Sequence, residues 1–158
     1  MPLMDEAFEG APVLVTGGYG FIGSNVVRLL VTLGPQHLDA WNAQRRRLAR
    51  RYNRGLHGTG VKVPVERPDT THVYCSYAIR HPSRNRLREW LAERGIDARV
   101  QYRRPIHLQP AYRGLGAGTG SFPGAEQAAS EILSLPIFPA LDESAIGLVC
   151  DGIRAFAA

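Results

Sequence analysis

Apolar residues along this chain keep helical and strand periods in turn, and the character of the pattern changes near residue 37. Val13-Leu-Val-Thr16 is a β-branched run; glycines follow at 17, 20 and 23, and then Ile22, Val26, Leu29, Leu30 and Leu33 fall at helical spacing. That order predicts a strand, a glycine loop and a helix, a single βα unit over residues 1–36. Beyond it Leu38, Trp41, Arg45, Leu48 and Tyr52 recur at steps of three and four, which predicts a long helix with Asp39 near its start. Val61-Lys-Val-Pro-Val65 alternates like an edge strand. Val73–Ile79 and Ala98–Tyr102 read as strands on either side of a helix over Asn85–Arg94, which places Leu87, Trp90 and Leu91 on one face and stops at Gly95. Pro123 opens a helix carrying Ala128, Ala129, Ile132 and Leu133, and a last helix after Asp142 aligns Ile146, Val149, Cys150 and Ile153. The expected fold class is α/β: a small domain over residues 37–158, one sheet with helices largely on one face, preceded by the βα unit.

The glycine loop has a chemistry of its own. Gly17 permits a tight turn, Gly20 lets backbone amides approach a pyrophosphate, and Gly23 allows close packing of helix on strand. Free N–H groups at the helix start then favour an anion. Gly17, Gly20, Phe21, Ile22 and Gly23 are therefore the candidate cofactor-binding positions, for NAD(P). Thr16-Gly-Gly-Tyr-Gly-Phe-Ile-Gly-Ser-Asn25 resembles the opening of the extended short-chain dehydrogenase/reductases, and most of all the nucleotide-sugar dehydratases and epimerases, over residues 11–34. The rest of that fold does not follow. Asp39 has the spacing of a ribose-binding acid, but Gly34-Pro35-Gln36-His37 precedes it in place of a strand, so it reads as a helix N-terminal residue. A Tyr-x-x-x-Lys pair is missing too, because Lys62 is the only lysine and position 58 is glycine. One strand with one helix is not an independent core, so Val13–Thr16 is expected to add to an edge of the following sheet or to pack loosely beside it.

Composition narrows the classes. A chain of 158 residues with 44% hydrophobic residues can bury one ordinary core, or a small domain with an appendage. No run approaches the ~18–20 apolar residues of a membrane span, and Met-Pro-Leu-Met-Asp-Glu lacks the basic start of a secretory signal. Cys75 and Cys150 lie in apolar contexts without metal-ligand spacing, and are read as buried free thiols of a cytoplasmic protein with no metal site. The net charge of +5 is carried almost wholly by arginine, a bias of the kind a GC-rich genome gives. In Arg45-Arg-Arg-Leu-Ala-Arg-Arg51 the interruption by Leu48 spreads the arginines around one helix, as on a solvated or partner-facing face. Neither a nucleic-acid nor a membrane partner is expected.

A longer resemblance begins at residue 37. His37-Leu-Asp-Ala-Trp-Asn-Ala-Gln-Arg-Arg-Arg-Leu-Ala-Arg-Arg-Tyr52, His72-Val-Tyr-Cys-Ser-Tyr-Ala-Ile-Arg-His-Pro82 and Leu87-Arg-Glu-Trp-Leu-Ala-Glu-Arg-Gly-Ile96 run in unbroken order. They continue into Tyr102, Pro105, His107-Leu-Gln-Pro-Ala-Tyr112, Phe122-Pro and Glu131-Ile-Leu-Ser-Leu-Pro-Ile-Phe-Pro139. This series is similar to the C-terminal small domain of the nucleotide-sugar aminotransferases, the DegT/StrS-type family of PLP enzymes, over residues 37–158.

The resemblance implies that Tyr102, His107, Gln109 and Tyr112 lie at the mouth of an active site and hold a nucleotide-sugar through phenol, imidazole and amide groups. Where the family often has His-Tyr-Pro, this chain has Gln101-Tyr102-Arg103, a departure that bears on those contacts. On residues alone His107 reads as a loop histidine packed between prolines more readily than as a ligand; the resemblance makes the two readings equal. The resemblance also implies that the Schiff-base lysine and the main PLP-binding groups belong to a large domain N-terminal to this segment. Lys62 reads as an ordinary edge-strand lysine, and no catalytic residue is carried over.

Two expectations follow. In one the chain is an incomplete sugar aminotransferase of deoxysugar biosynthesis, inactive alone, that self-associates or pairs with a separately encoded PLP domain. In the other it is a nucleotide or nucleotide-sugar binding module, or a fragment of an NAD-dependent dehydratase/epimerase.

Overall fold

A computed structural model of the protein describes residues 25–26 and 36–157. The chain divides into two units, Met1–Gln44 and Arg45–Ala158. In the first, Asn25 and Val26 are helical, and residues 36–44 are the opening turns of helix α1 (Gln36–Gly55), with Asp39 in the first turn as its sequence context predicts. The strand over Val13–Thr16 and the loop bearing Gly17, Gly20, Phe21, Ile22 and Gly23 lie outside the described residues.

The second unit is organised by an antiparallel pair, β1 (Tyr77–Arg80) and β2 (Ile132–Leu135), with Tyr77 opposite Leu135 and Ile79 opposite Leu133. Single bridges extend the pair at both edges. Lys62 exchanges two 2.9 Å backbone hydrogen bonds with Arg80, and Arg99 exchanges bonds of 2.9 and 2.7 Å with Ser134. Strand alternation then sorts the side chains. Tyr77, Ile79, Leu133 and Leu135 are buried, whereas Ala78, Arg80 and Ile132 on the opposite face stay half-buried.

The buried strand residues share one core with three helices. Leu48 and Tyr52 come from α1, Leu87 and Leu91 from α2 (Arg84–Ala92), and Ile146, Val149 and Ile153 from α4 (Glu143–Ala157). Burial of side chains of this size contributes about 1.5–3 kcal/mol each. Tyr52 and Tyr77 stack with centroids 4.6 Å apart. The Tyr52 hydroxyl donates to the Pro136 carbonyl at 2.8 Å and that of Tyr77 to Asn53 Oδ1, so neither phenol is buried without a partner. Burial raises the pKa of both. Gly95, at φ 74°, closes α2 as expected, and the Ile96 amide reaches back to the Leu91 carbonyl at 3.0 Å. Asp142 Oδ1 accepts from the Ser144 amide at 2.7 Å just before α4. The arginine run on α1 meets carboxylates: Arg46 pairs with Glu66, and Arg47 and Arg51 with Glu143.

Four expectations are corrected. The strand foreseen over Val73–Ile79 starts only at Tyr77, because Tyr74 adopts φ 50° with its amide bonded to His72 Nδ1 at 2.9 Å, a left-handed turn that breaks extension. Ala98–Tyr102 pairs through Arg99 alone, and Tyr102 swings out to 78% exposure. The helix that begins at Pro123 (α3, Pro123–Glu131) ends before Ile132 and Leu133, which pair in β2, so long-range strand pairing overrides the local helical spacing. Cys75 is exposed, while Cys150 is buried as expected. Leu38, on the apolar stripe of α1, is also exposed, at 53%.

The close approach of α1 and α4 at Gly55 supplies a test. A Cβ on Gly55 would stand 2.5 Å from Cys150 Sγ, so Gly55→Ala forces α1 and α4 apart despite the helix propensity that alanine adds. Overpacking of this kind costs about 1–3 kcal/mol. Urea unfolding is expected to show that loss for Gly55→Ala, and a smaller one when the substitution is made in a Cys150→Ala background.

Candidate functional site

The 101–122 segment, which arches over α3, carries most of the candidate chemistry. Pro105 and Pro110 fix backbone φ and start two short 3-10 turns, Ile106–Leu108 and Pro110–Leu115, while Gly116 at φ 75° ends the second. Beneath them α3 presents Ala125, Ala128 and Ala129. These small side chains leave a cavity of about 760 Å³ whose wall includes Tyr102, His107, Gln109 and Tyr112. All four positions singled out in the sequence therefore meet at one place. Phe122 and Arg104 also line it, the first an apolar ring and the second a guanidinium at the exposed rim.

The histidine is the most constrained polar group there. His107 Nε2 lies 3.1 Å from Glu126 Oε1, and its ring meets Phe122 edge-on at 4.8 Å between centroids. Glu126 also accepts from the Gly120 amide, at 2.9 and 3.0 Å, and from the Phe122 amide at 3.2 Å. Those bonds hold its carboxyl below the usual carboxylate range, with the Gly120 amide the largest cause and Phe122 and His107 adding to it. Glu126 was not foreseen. The signal for it was an acid in the first turn of a helix opened by proline, where free backbone N–H groups gather.

Two further contacts fix α3, and with it the cavity floor. Glu131 at its end accepts from Arg80 Nε and Nη2 at 3.0 and 2.9 Å and from Gln127 Nε2 at 2.9 Å. The Gln127 bond leads the causes that lower its pKa, followed by Arg80. Arg84 is buried; its Nη1 donates to the Ile132 carbonyl at 2.9 Å, and its Nε has no partner among the described residues. Burial, with Arg103 and Arg88 nearby, lowers its pKa.

What this arrangement can do is bind. Aromatic rings and alanines accept a flat or apolar ligand surface, while phenol, imidazole, amide and guanidinium groups at the wall reach hydroxyls or an anion. It does not fit PLP. The cofactor needs a lysine amine, the cavity wall has none, and Lys62, the sole lysine of the sequence, is exposed at the sheet edge beside Arg80. No group of three metal-ligating side chains occurs among the described residues. No described helix is long and apolar enough to cross a membrane.

Comparison with known proteins agrees with this fold. Residues 30–154 match the DegT/DnrJ/EryC1/StrS aminotransferase family, and the chain belongs to that family. It is 43% identical over 122 residues to the dTDP-3-amino-3,4,6-trideoxy-alpha-D-glucose transaminase of Streptomyces venezuelae, a match covering 77% of this chain and 32% of that protein. It is 44% identical over 123 residues to a pleiotropic regulatory protein of Geobacillus stearothermophilus, covering 76% of this chain and 33% of that protein. The crystal structure of S. venezuelae DesV in complex with a ketimine intermediate superimposes with a TM-score of 0.77 at 40% identity, covering 86% of this chain and 36% of that one. The chain thus spans about a third of the length of the relatives it matches. The family match starts at residue 30, past Gly17–Gly23, so the dinucleotide reading of that loop gains no support from it.

Acid should loosen the site first. Glu126, Glu131 and Asp142 all have folded pKa values below their ordinary ones, so the unfolded chain takes up protons more readily. Their contribution is complete above about pH 4.5 and is lost as pH falls through the folded values. The urea midpoint is expected to drop below that pH, with a shallower drop in Glu126→Gln, as read from unfolding curves at pH 3 to 6.

Proposed function

We propose that this chain is the nucleotide-sugar-facing small domain of a sugar aminotransferase of deoxysugar biosynthesis. It binds ligand and does not perform amino transfer by itself. The observation that carries this reading is one cavity walled by Tyr102, His107, Gln109 and Tyr112, in a chain of the aminotransferase family. Tyr102 and Tyr112 offer ring faces and phenols. His107 and Gln109 offer hydrogen bonds to sugar hydroxyls, and Arg104 offers charge to a phosphate. A dTDP-sugar is the class of ligand named for the S. venezuelae relative.

Transamination requires a lysine that forms a Schiff base with PLP and then moves a proton. Lys62 cannot serve from the sheet edge, so in this reading a lysine-bearing domain completes the site. Exposed Tyr102, Ile106 and Leu115, at 78, 68 and 77%, form the apolar rim that such a domain, or a second copy of this chain, would cover.

A second reading is favoured by the Gly17-x-x-Gly20-x-x-Gly23 pattern alone: a nucleotide site, for NAD(P), on that loop.

Calorimetry separates the readings. Saturable heat with dTDP or a dTDP-sugar is expected, weakened about three- to tenfold by Tyr102→Ala. Heat with NAD or NADP and none with dTDP would favour the loop. Borohydride treatment with PLP is expected to leave Lys62 without a stoichiometric adduct by mass spectrometry. Such an adduct together with transaminase activity would overturn the binding-only assignment.

A further inference from the structure

Glu126 does not line the cavity, yet it bonds to the one cavity residue that has two alternative hydrogen-bonding forms. A neutral imidazole carries its proton on either Nδ1 or Nε2, and which nitrogen carries it is set by the partner of the other. An ionised carboxylate only accepts. Glu126 is kept ionised and immobile by the Gly120 and Phe122 amides, and its Oε1 sits 3.1 Å from His107 Nε2. The proton of neutral His107 must then be on Nε2. Nδ1, which makes no hydrogen bond among the described residues, is left as an acceptor.

The geometry points to Glu126 as a positioning residue that fixes His107 in its Nε2–H form and so makes the cavity select a ligand that donates a hydrogen bond at that point, through a hydroxyl or an N–H group. The reading of the cavity as a nucleotide-sugar site underlies the ligand half of this inference, and a sugar hydroxyl is the donor it supplies. Phe122 contributes by closing one edge of the imidazole ring, so that rotation of the ring would break both the carboxylate bond and the aromatic contact. The same carboxylate ties the turn at Gly120 to α3, which makes the orientation of His107 depend on the turn being formed.

The test separates positioning from mere stabilisation. Nitrogen-15 shifts of the His107 ring in the free protein at pH 8 are expected to report the Nε2–H form. The Nδ1–H form would overturn the inference without any ligand being present. Glu126→Ala is expected to give a mixture of the two forms, and Glu126→Gln, which retains a carbonyl oxygen to accept from Nε2, to restore the Nε2–H form. A ring unchanged in Glu126→Ala would also overturn it.

Calorimetry with a dTDP-sugar then completes a double-mutant cycle. Glu126→Ala and His107→Ala are each expected to weaken binding about tenfold, the size of one lost hydrogen bond. The double variant is expected to be no weaker than either single one. Additive losses would mean that Glu126 acts on the fold alone, and would overturn the positioning role. Absence of binding in the unaltered chain would instead refute the nucleotide-sugar reading, while the ring measurement would still decide the role of Glu126.

Discussion

The pairing of β1 with β2 brings Tyr77 and Ile79 opposite Leu135 and Leu133, and it joins stretches that lie far apart in the chain. Closing so long a connection costs chain entropy before any contact rewards it. The apolar core that three helices complete over these four side chains offsets that cost. Because side chains alternate, the register also decides what lies on the opposite face. A slip of one residue would carry Leu133 and Leu135 out of the core and put Ser134 in. The helix α3 runs directly into β2, so the same register determines where α3 ends and where the alanines of the cavity floor sit. Arg80 of β1 holds the junction through Glu131 at the last position of α3.

A cavity framed in this way inherits its stability from the core but its specificity from a short irregular segment. The 101–122 stretch has little burial of its own: Tyr102, Ile106 and Leu115 are largely exposed. Its order comes from backbone devices, prolines that preset φ, a left-handed Gly116 and a carboxylate that collects two amides and an imidazole. Glu126 therefore joins what would otherwise be separate features, the turn and the histidine. Burial and charge also work against each other at the back of the site, where Arg84 is taken out of water to cap the Ile132 carbonyl, its Nε finds no partner, and no carboxylate pairs with it among the described residues.

The helices were legible because their evidence is local. Leu87 and Leu91, or Ile146, Val149 and Ile153, announce a buried face by spacing alone, and Gly95 marks a stop. The four residues that line the cavity were legible through resemblance to a family; residue types alone favoured a packed loop histidine at position 107. Strands were harder. Ile132-Leu-Ser-Leu135 follows a good helical pattern, and only pairing with a distant segment makes it β. Tyr74 shows the same limit in another form: its residue type favours a strand, and a hydrogen bond to His72 turns the backbone away. Cys75 looked buried from its apolar neighbours, but that left-handed turn sets it on the exposed side. Glu126 carried a local signal, an acid in the first turn of a proline-opened helix, but its partners, two backbone amides and the His107 ring, come together only in the fold.

Lysine usage connects the fold to the division of chemical labour. Among side chains only a lysine amine forms the Schiff base with PLP; arginine stays protonated and does not substitute. This sequence has a single lysine, committed by its backbone to the outer edge of the sheet and exposed there. The cavity, in contrast, concentrates groups that recognise and orient: two tyrosines, a histidine held by a carboxylate, a glutamine and an arginine. Hydrogen-bonding and aromatic groups thus gather on one surface, and the one lysine lies on another. On the proposed reading, such a domain would act on a reaction by deciding which substrate is presented and in what orientation, an effect that can supply several kcal/mol through positioning alone.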